Sequence, residues 1–305
     1  MKLSLFSILL ALLLTVGNSV SAQSSPASFA YVLQADALAK SKAEAVAKLA
    51  ACGRDWIVLD ASFSNGEPWT AADLAAIRAG RAGRKVIAYL SIGEAEDYRA
   101  YWQHAWQTNP PAFLLAQNPE WKGNYRVKYW QAGWQKIILA GVDQIMAAGF
   151  DGVYLDIVDG FETFERDGKN FIDDRLNPET KQSYRRDMVD WVKTVAARVR
   201  KANPAALVIP QNGTQLLAHA DFLGAVDAVG VDDLFTNGDK FQKAADTKYI
   251  LENLGPMTAA HKPVLDVEYA RSQGRQIKVR ELAAQNGLVW IVTDRQLKTL
   301  GESGK

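Results

Sequence analysis

The chain has few of the residues that bind metals or form covalent bonds: one cysteine and three histidines among 305 residues. A lone cysteine cannot close a disulfide within the chain or build a thiolate zinc site. Cys52 follows Leu49-Ala50-Ala51 in a helical pattern, which predicts a buried small side chain. His104, His219 and His261 fall away from the predicted strand ends, which disfavours histidine-ligated metal hydrolysis.

Two common catalytic motifs are also missing. The sequence has no Gly-x-Ser-x-Gly elbow for a Ser–His–Asp hydrolase and no Gly-rich loop to cradle a phosphate. Acidic side chains could still bind a divalent cation, so this alternative stays open. We nevertheless predict neither a metal nor a cofactor.

Charge of one sign is not in excess either, because 35 Lys and Arg residues stand against 34 Asp and Glu residues. Nucleic-acid binding requires a basic face, so we predict no nucleic-acid partner. The balance also gives no reason to expect binding to an anionic membrane surface.

The longest hydrophobic run lies at the N-terminus. Lys2 precedes the apolar stretch 3–16, and the small residues Val20-Ser21-Ala22 follow. This order is typical of a secretory signal peptide, which predicts cleavage after Ala22, export to the periplasm or the extracellular space, and a mature domain over 23–305. A membrane anchor is the alternative, but the run is shorter than the roughly 20 residues that span a bilayer.

Eight short apolar segments alternate with helical patterns along the mature chain. Strand–helix alternation repeated about eight times predicts a single-domain α/β fold, the (β/α)8 TIM barrel. An open doubly wound sheet is the alternative, but Leu33-Gln34-Ala35-Asp36 after the first strand is unlike a nucleotide-binding loop. The predicted strands are 29–33, 56–60, 85–91, 153–158, 206–212, 227–233, 263–268 and 288–294.

Nearly every predicted strand ends in a polar residue. In barrels these C-terminal ends form the active-site face. Any one polar end could instead cap the following helix, but capping is an inadequate account of the whole set. The residues concerned are Asp60, Ser91, Asp156, Gln211, Asn212, Asp232, Asp233, Glu268 and Asp294.

Tryptophans concentrate in the long segment between the third and fourth strands, which contains Trp102, Trp106, Trp121, Trp130 and Trp134. The spacing of Tyr98, Trp102 and Trp106 is helical, so part of the set is predicted to be core. The loop-like piece 118–125 combines aromatic and polar residues, and such surfaces stack on the C–H faces of sugars.

Glycoside hydrolysis is the chemistry that best fits these residues, because it needs two carboxyl groups in different environments. Asp156 ends the fourth strand and Asp232 the sixth, and side chains from alternate strands share a layer inside a barrel. The alternative is that both acids are structural and paired with Arg or Lys.

Three long motifs resemble glycoside hydrolase family 114. They are Tyr89-Leu90-Ser91-Ile92-Gly93-Glu94-Ala95-Glu96-Asp97-Tyr98-Arg99, the segment 121–130, and Gly149-Phe150-Asp151-Gly152-Val153-Tyr154-Leu155-Asp156. The resemblance implies a (β/α)8 endo-α-1,4-polygalactosaminidase that cuts galactosamine-containing exopolysaccharide of the kind found in biofilm matrices. It also implies that Asp156 is the nucleophile.

The acid/base of this family is usually Glu in a Glu-Asp-Leu-Phe sequence, and the matching residues are Asp232-Asp233-Leu234-Phe235. The acid is kept but is one methylene shorter. Two hypotheses follow: a secreted retaining glycosidase, or a polysaccharide-binding barrel that has lost efficient hydrolysis. In both, the predicted substrate-binding residues are Asp60, Tyr89, Ser91, Glu94, Trp121, Asn124, Tyr125, Tyr154, Gln211, Asn212, Asp233, Glu268 and Asp294.

Overall fold

A computed structural model of the protein describes residues 25–305. The predicted signal peptide, residues 1–22, lies outside the described residues. Within 25–305, no helix combines the length and the apolar character that crossing a bilayer requires.

All eight predicted strands are present. They are β1 (Phe29–Val32), β2 (Trp56–Leu59), β3 (Lys85–Ser91), β4 (Gly152–Asp156), β5 (Leu207–Pro210), β6 (Val229–Asp232), β7 (Val264–Glu268) and β8 (Val289–Val292). β1 to β5 form one parallel sheet in chain order, and β6 to β8 form a second. The predicted barrel is confirmed, with strands that mostly end one or two residues earlier than predicted.

Two seams join these sheets into a barrel-like ring. A parallel bridge between Gln211 and Gly230 connects β5 to β6. At the other seam the strand Glu302–Gly304 pairs antiparallel with β8, and Ser303 Oγ accepts a hydrogen bond of 2.9 Å from the amide of Phe29 in β1. Within residues 25–305 no strand ladder pairs β8 directly with β1, so the C-terminal strand stands between them.

Helices cover the outside of the ring. Thr70 caps the helix 71–79 through a reciprocal capping box with Asp73. The helices are α1 (Ala35–Leu38), α2 (Lys42–Ala51), α3 (Ala71–Ala79), α4 (Ala132–Ala148), α5 (Glu162–Glu165), α6 (Tyr184–Ala202), α7 (Ala220–Ala225), α8 (Ala244–Asn253), α9 (Gly255–Ala259) and α10 (Gln273–Gln285). Three further segments are 3₁₀ turns, at His104–Gln107, Val158–Phe161 and Thr214–Ala218.

Strand residues alternate between two hydrophobic clusters, because successive side chains point to opposite faces. Those that face outward pack under the helices, and those that face inward fill the barrel. Four inward tyrosines lie toward the C-terminal end of the barrel: Tyr31, Tyr89, Tyr154 and Tyr269. They form a tyrosine layer beneath the predicted catalytic face.

The segment between β3 and α4 folds as an antiparallel sheet of Glu94–Glu96, Asn124–Val127 and Leu114–Gln117. The tryptophans between β3 and β4 divide as predicted into core and surface, since Trp106 and, in α4, Trp134 are buried and Trp121 is 51% exposed. Tyr98 and Trp102 do not lie on a helix, however, because this stretch turns at Glu96–Trp102 before the 3₁₀ turn. Two-stranded hairpins follow β2, β4 and β6, at Ser62–Ser64 with Glu67–Pro68, Arg166–Asp167 with Asn170–Phe171, and Thr236–Asn237 with Lys240–Phe241.

Candidate active site

A cavity of about 1030 Å³ opens at the C-terminal ends of the strands. Asp156 and Asp232 both line it, as do Asp60, Glu94 and Trp121. The antiparallel sheet with Trp121 borders one side, and Arg166 of the hairpin after β4 lines the cavity as well. We call this cavity the cleft.

Asp156 ends β4 directly above the tyrosine layer. One carboxylate oxygen accepts a hydrogen bond of 2.8 Å from the Tyr89 hydroxyl, and the other accepts one of 2.8 Å from the amide of Ile157. Ile157 adopts a left-handed backbone conformation (φ 56°), which turns the chain sharply after the strand. Burial raises the pKa of Asp156 to about 6, although the two hydrogen bonds oppose that rise.

Asp232 ends β6 and is held from the neighbouring strands. Asn212 Nδ2 donates to its carboxylate at 2.9 Å, and the Asp232 amide donates back to Asn212 Oδ1 at 3.3 Å. On the other side, the Tyr269 hydroxyl donates to its second oxygen at 3.4 Å. Each of the two aspartates therefore accepts a hydrogen bond from a tyrosine of the layer below, and the bond at Asp156 is the shorter.

Removal of the Tyr89 hydroxyl is expected to impair the ionised form of Asp156. In Tyr89→Phe the carboxylate loses a donor that lowers its pKa, so the acid limb of the kcat/KM profile should move from about pH 6 to higher pH. The rate at neutral pH should fall about tenfold, the cost of one charge-assisted hydrogen bond. The pH profile of hydrolysis measures both effects.

Tyr31→Phe is the matched control. Tyr31 belongs to the same buried layer, and no hydrogen bond joins its hydroxyl to Asp156 among residues 25–305. If both variants moved the acid limb equally, the effect would come from packing of the layer and not from the hydrogen bond.

Arginine and amides organise the acidic wall formed by the antiparallel sheet. Arg99 donates to Asp60 at 2.6 Å and to Glu96 at 2.6 Å, so its one positive charge is shared by these two carboxylates. Glu94 instead accepts from Asn118 at 2.9 Å and from Asn124 at 3.3 Å. Burial raises the pKa of Glu94, while the two amides lower it.

Two further acids of the cleft follow Asp156 in the chain, Asp159 and Glu162. Asp159 lies in the 3₁₀ turn after β4, and burial together with the neighbouring Glu162 raises its pKa well above its usual range. Glu162 accepts a hydrogen bond of 2.7 Å from Gln215. Within residues 25–305, neither acid forms a salt bridge.

Asp159, Glu162, Glu96 and Arg99 were not among the predicted site residues. The motif around Glu94 carried a usable signal for two of them. Glu94-Ala95-Glu96 places both acids on one face of a strand, with Ala95 on the buried face, and Arg99 follows Glu96 by three residues. Asp159 had no comparable signal, because its position depends on the turn that follows Ile157.

Seven predicted substrate-binding residues lie at the cleft: Asp60, Tyr89, Glu94, Trp121, Asn124, Gln211 and Asn212. The other six predicted residues do not line the cleft. Three of them, Ser91, Tyr125 and Tyr154, are instead packed against other parts of the chain. Ser91 is buried and donates to the carbonyl of Glu94 at 3.0 Å. Tyr125 packs on Trp102 with ring centroids 4.8 Å apart. Tyr154 points inward but lies deeper than Asp156, where its ring packs at a tilt against Tyr31 and its hydroxyl donates to Gln211 Oε1.

The remaining three are acids that stabilise loops. Asp233 forms a salt bridge with Arg295. Glu268 is fully buried and accepts from the amides of Phe235 at 2.6 Å and Thr236 at 3.1 Å, so it holds the loop after Asp232 from outside the barrel. Asp294 accepts from the amides of Gln296, Lys298 and Thr299 and thus caps its own turn.

A barrel whose C-terminal face carries a deep cleft, with carboxyl groups on alternate strands, has the architecture of a glycoside hydrolase. Residues 15–304 match the model of glycoside-hydrolase family GH114, and the chain belongs to this family. It is therefore a glycoside hydrolase by class, and its substrate is a carbohydrate polymer.

Relatives with similar sequence are uncharacterized. One from Deinococcus radiodurans is 36% identical over 245 residues, which cover 80% of this chain and 74% of the relative. Across the curated relatives that it matches, the chain spans between 53% and 74% of the relative's length.

Solved structures support the fold. The glycoside hydrolase domain of PelA from Pseudomonas aeruginosa is similar with a TM-score of 0.67 and 20% identity, over 92% of this chain and 99% of that one. Aspergillus fumigatus Ega3, solved in complex with galactosamine, is similar with a TM-score of 0.64 and 17% identity, over 94% of this chain and 100% of that one. Both likenesses establish the barrel-type fold of this chain.

Proposed function

We propose that the protein is an endo-acting hydrolase of α-1,4-linked, galactosamine-containing polysaccharide that retains anomeric configuration. The observation that carries the proposal is the pair Asp156 and Asp232. They end alternate barrel strands, line the same cleft, and are each held by a tyrosine of the layer below. No arginine or lysine of residues 25–305 forms a salt bridge with either acid, unlike the neighbouring Asp60 and Asp233.

In the proposed reaction, Asp156 attacks the anomeric carbon while Asp232 donates its proton to the leaving glycosidic oxygen. The C–O bond to the leaving sugar breaks, and a covalent bond to the Asp156 carboxylate forms. Asp232, now ionised, then takes a proton from water, and the hydroxide displaces Asp156 with a second inversion. Asp156 must begin the cycle ionised, which the Tyr89 hydroxyl and the Ile157 amide favour.

The charges of the cleft support an amino-sugar substrate. Glu94 and Glu162 have no salt-bridge partner within residues 25–305, so an ammonium group of the substrate would supply one. Ega3, which shares the fold, was solved with galactosamine. An open cleft bordered by Trp121 and by Arg166 would accept the interior of a polymer, which supports endo action.

The proposal includes export. An enzyme that degrades an exopolysaccharide acts outside the cytoplasm, and the order of Lys2, the apolar run 3–16 and Val20-Ser21-Ala22 supports a signal peptide over 1–22. The mature domain would then comprise residues 23–305.

Reducing-end release from galactosaminan tests the proposed function. The mature protein should cleave the partially deacetylated polymer at least about tenfold faster than the fully acetylated one, because each free ammonium adds a charge-assisted contact with the cleft. Product sizing should show oligosaccharides early in the reaction, as endo cleavage requires. Binding to the polymer without any product at any pH would favour the alternative, a binding barrel that has lost hydrolysis.

A further inference from the structure

Arg295 lies at the cleft on the side of Asp232, in the loop after β8. Its guanidinium donates to both carboxylate oxygens of Asp233, at 2.7 and 2.6 Å. The same group stands over the ring of Tyr269, with 4.3 Å between Cζ and the ring centroid. The side chain is 41% exposed, so its position depends on these two contacts and not on burial.

The two contacts of Arg295 converge on Asp232 by different routes. Tyr269 donates its hydroxyl to Asp232 at 3.4 Å, and Asp233 is the next residue in the chain. A cation over the face of a phenol ring attracts the ring electrons, fixes the ring and strengthens its hydroxyl as a donor. The ion pair, in which Nη2 of Arg295 contacts both Asp233 oxygens, also offsets the negative charge of Asp233, which would otherwise repel an ionised Asp232.

The side of Asp156 shows a related arrangement. Arg99 stands over the ring of Tyr89 at 5.9 Å, and Tyr89 donates to Asp156. There the arginine is farther from the ring and is held by two acids, Asp60 and Glu96. Arg295, which is closer to its tyrosine ring than Arg99 is, therefore lies on the side of Asp232, whose hydrogen bond from tyrosine is the longer. Asp232 is also the residue that must lose and regain a proton in the proposed reaction.

We propose that Arg295 and Asp233 are positioning residues for Asp232. Through the ring of Tyr269 and through their own opposite charges, they set how readily Asp232 exchanges its proton. The proposal rests on the acid/base role given to Asp232 above. It assigns Asp233 a function by way of Arg295, in place of the predicted contact with substrate.

Several charged and titratable groups surround Asp232, and the experiment has to separate Arg295 from them. Its own loop contributes Asp233, and the loop after β8 contributes Arg295. The other titratable groups near Asp232 lie in β7 and the residue after it, in β1, and in β4 with the turn that follows it. These groups are Asp266, Tyr269, Tyr31, Tyr154, Asp156 and Asp159.

A charge cycle between the two positioning residues tests the proposal. The protein is labelled at its aspartate carboxyl carbons, and the Asp232 signal is assigned by its loss in Asp232→Asn. Arg295→Gln should raise the titration midpoint of Asp232 by about half a pH unit, because a nearby cation is lost and screening by solvent limits the effect. Asp233→Asn should lower it by a similar amount, and the double variant should return near the wild-type value.

Arg295→Lys separates charge from geometry. It keeps the cation but loses the planar guanidinium over the Tyr269 ring, so the midpoint should stay near wild type while kcat falls several-fold. Arg198→Gln is the matched control, since Arg198 pairs with Asp143 on the helical surface and should leave the midpoint unmoved. If hydrolysis is found, the alkaline limb of kcat/KM should follow the same signs.

The outcomes distinguish this proposal from the proposed function. Shifts of the same sign in Arg295→Gln and Asp233→Asn, or a double variant displaced from the wild-type midpoint by as much as either single variant, would show a merely structural role and overturn it. Because the titration needs no substrate, a protein without hydrolase activity would still give the charge cycle. In that case the proposed function would fail while the electrostatic coupling stood.

Discussion

Replacement of Asp156 by asparagine is expected to abolish hydrolysis, with kcat lowered on the order of a thousandfold or more while polymer binding persists. The amide has nearly the shape of the carboxylate, and its one oxygen can still accept from the amide of Ile157 while its NH2 group donates to the Tyr89 hydroxyl oxygen, but it cannot form the glycosyl ester. Initial rates of reducing-end release measure the loss, and binding to immobilised polymer measures what remains. A variant with a tenth of the wild-type rate would remove Asp156 from the role of nucleophile.

The same variant should be more stable than the wild type at neutral pH, which makes loss of activity through misfolding distinguishable. Burial raises the pKa of Asp156 to about 6 in the folded protein, so the folded state binds its proton more tightly than the unfolded state does. Stability from this group is therefore greatest below its unfolded pKa of about 3.9, falls as the pH rises toward 6, and is constant above. Asp156→Asn should thus gain a few degrees in Tm at pH 7 to 8 and nothing below about pH 4.

Strand positions could be predicted from the sequence because the buried strands are nearly continuous apolar runs. This continuity also concealed which face each side chain occupies. In β7 every residue is buried, so alternation between polar and apolar residues gives no signal. Leu265 and Val267 fill the barrel, which turns Glu268 outward to the amides of Phe235 and Thr236.

How deep in the barrel each inward side chain lies could not be predicted from the sequence either, for a related reason. Tyr154 and Asp156 are two residues apart and face the same side, so both point into the barrel. Only Asp156 reaches the cleft, because Tyr154 fills the interior one layer below. Gly230 in the facing strand makes room for it, since any Cβ there would collide with the Tyr154 hydroxyl and the Gln211 side chain.

Loop residues of the site could be predicted least. Arg99 and Arg295 are distant in sequence from Asp60 and Asp233, and their pairing depends on how the loops after β2, β3, β6 and β8 meet. Sequence patterns of one element carry no information on such contacts. The acids at strand ends were therefore predicted, whereas the arginines that pair with some of them were not.

Replacement of Asp232 by alanine is expected to lower kcat/KM for the polymer by about 100- to 1,000-fold, because the leaving sugar alcohol then departs without a proton. An aryl glycoside with an acidic leaving group needs no such proton, so its bond should still break and the covalent intermediate should accumulate. A burst of released phenol followed by a slow steady state would show this, and pre-steady-state absorbance measures it.

Azide assigns the two roles by the configuration of its product. In Asp232→Ala it should attack the intermediate on Asp156 from the side of the missing acid and give a glycosyl azide of the substrate's own α configuration. In Asp156→Ala it should instead replace the nucleophile and give the β azide. An α azide from both variants, or rescue of neither, would contradict the assignment.

Asp232→Glu tests whether the shorter acid limits this chain. Asn212 and Tyr269 contact the carboxylate where the aspartate places it, at 2.9 and 3.4 Å. A glutamate would carry the carboxyl past both donors, and a misplacement of about 1 Å can cost on the order of 100-fold in rate. We therefore expect Asp232→Glu to be slower than the wild type yet faster than Asp232→Ala. A glutamate variant faster than the wild type would instead mean that the aspartate slows hydrolysis. That result would support the alternative of a barrel that binds polysaccharide and has lost efficient hydrolysis.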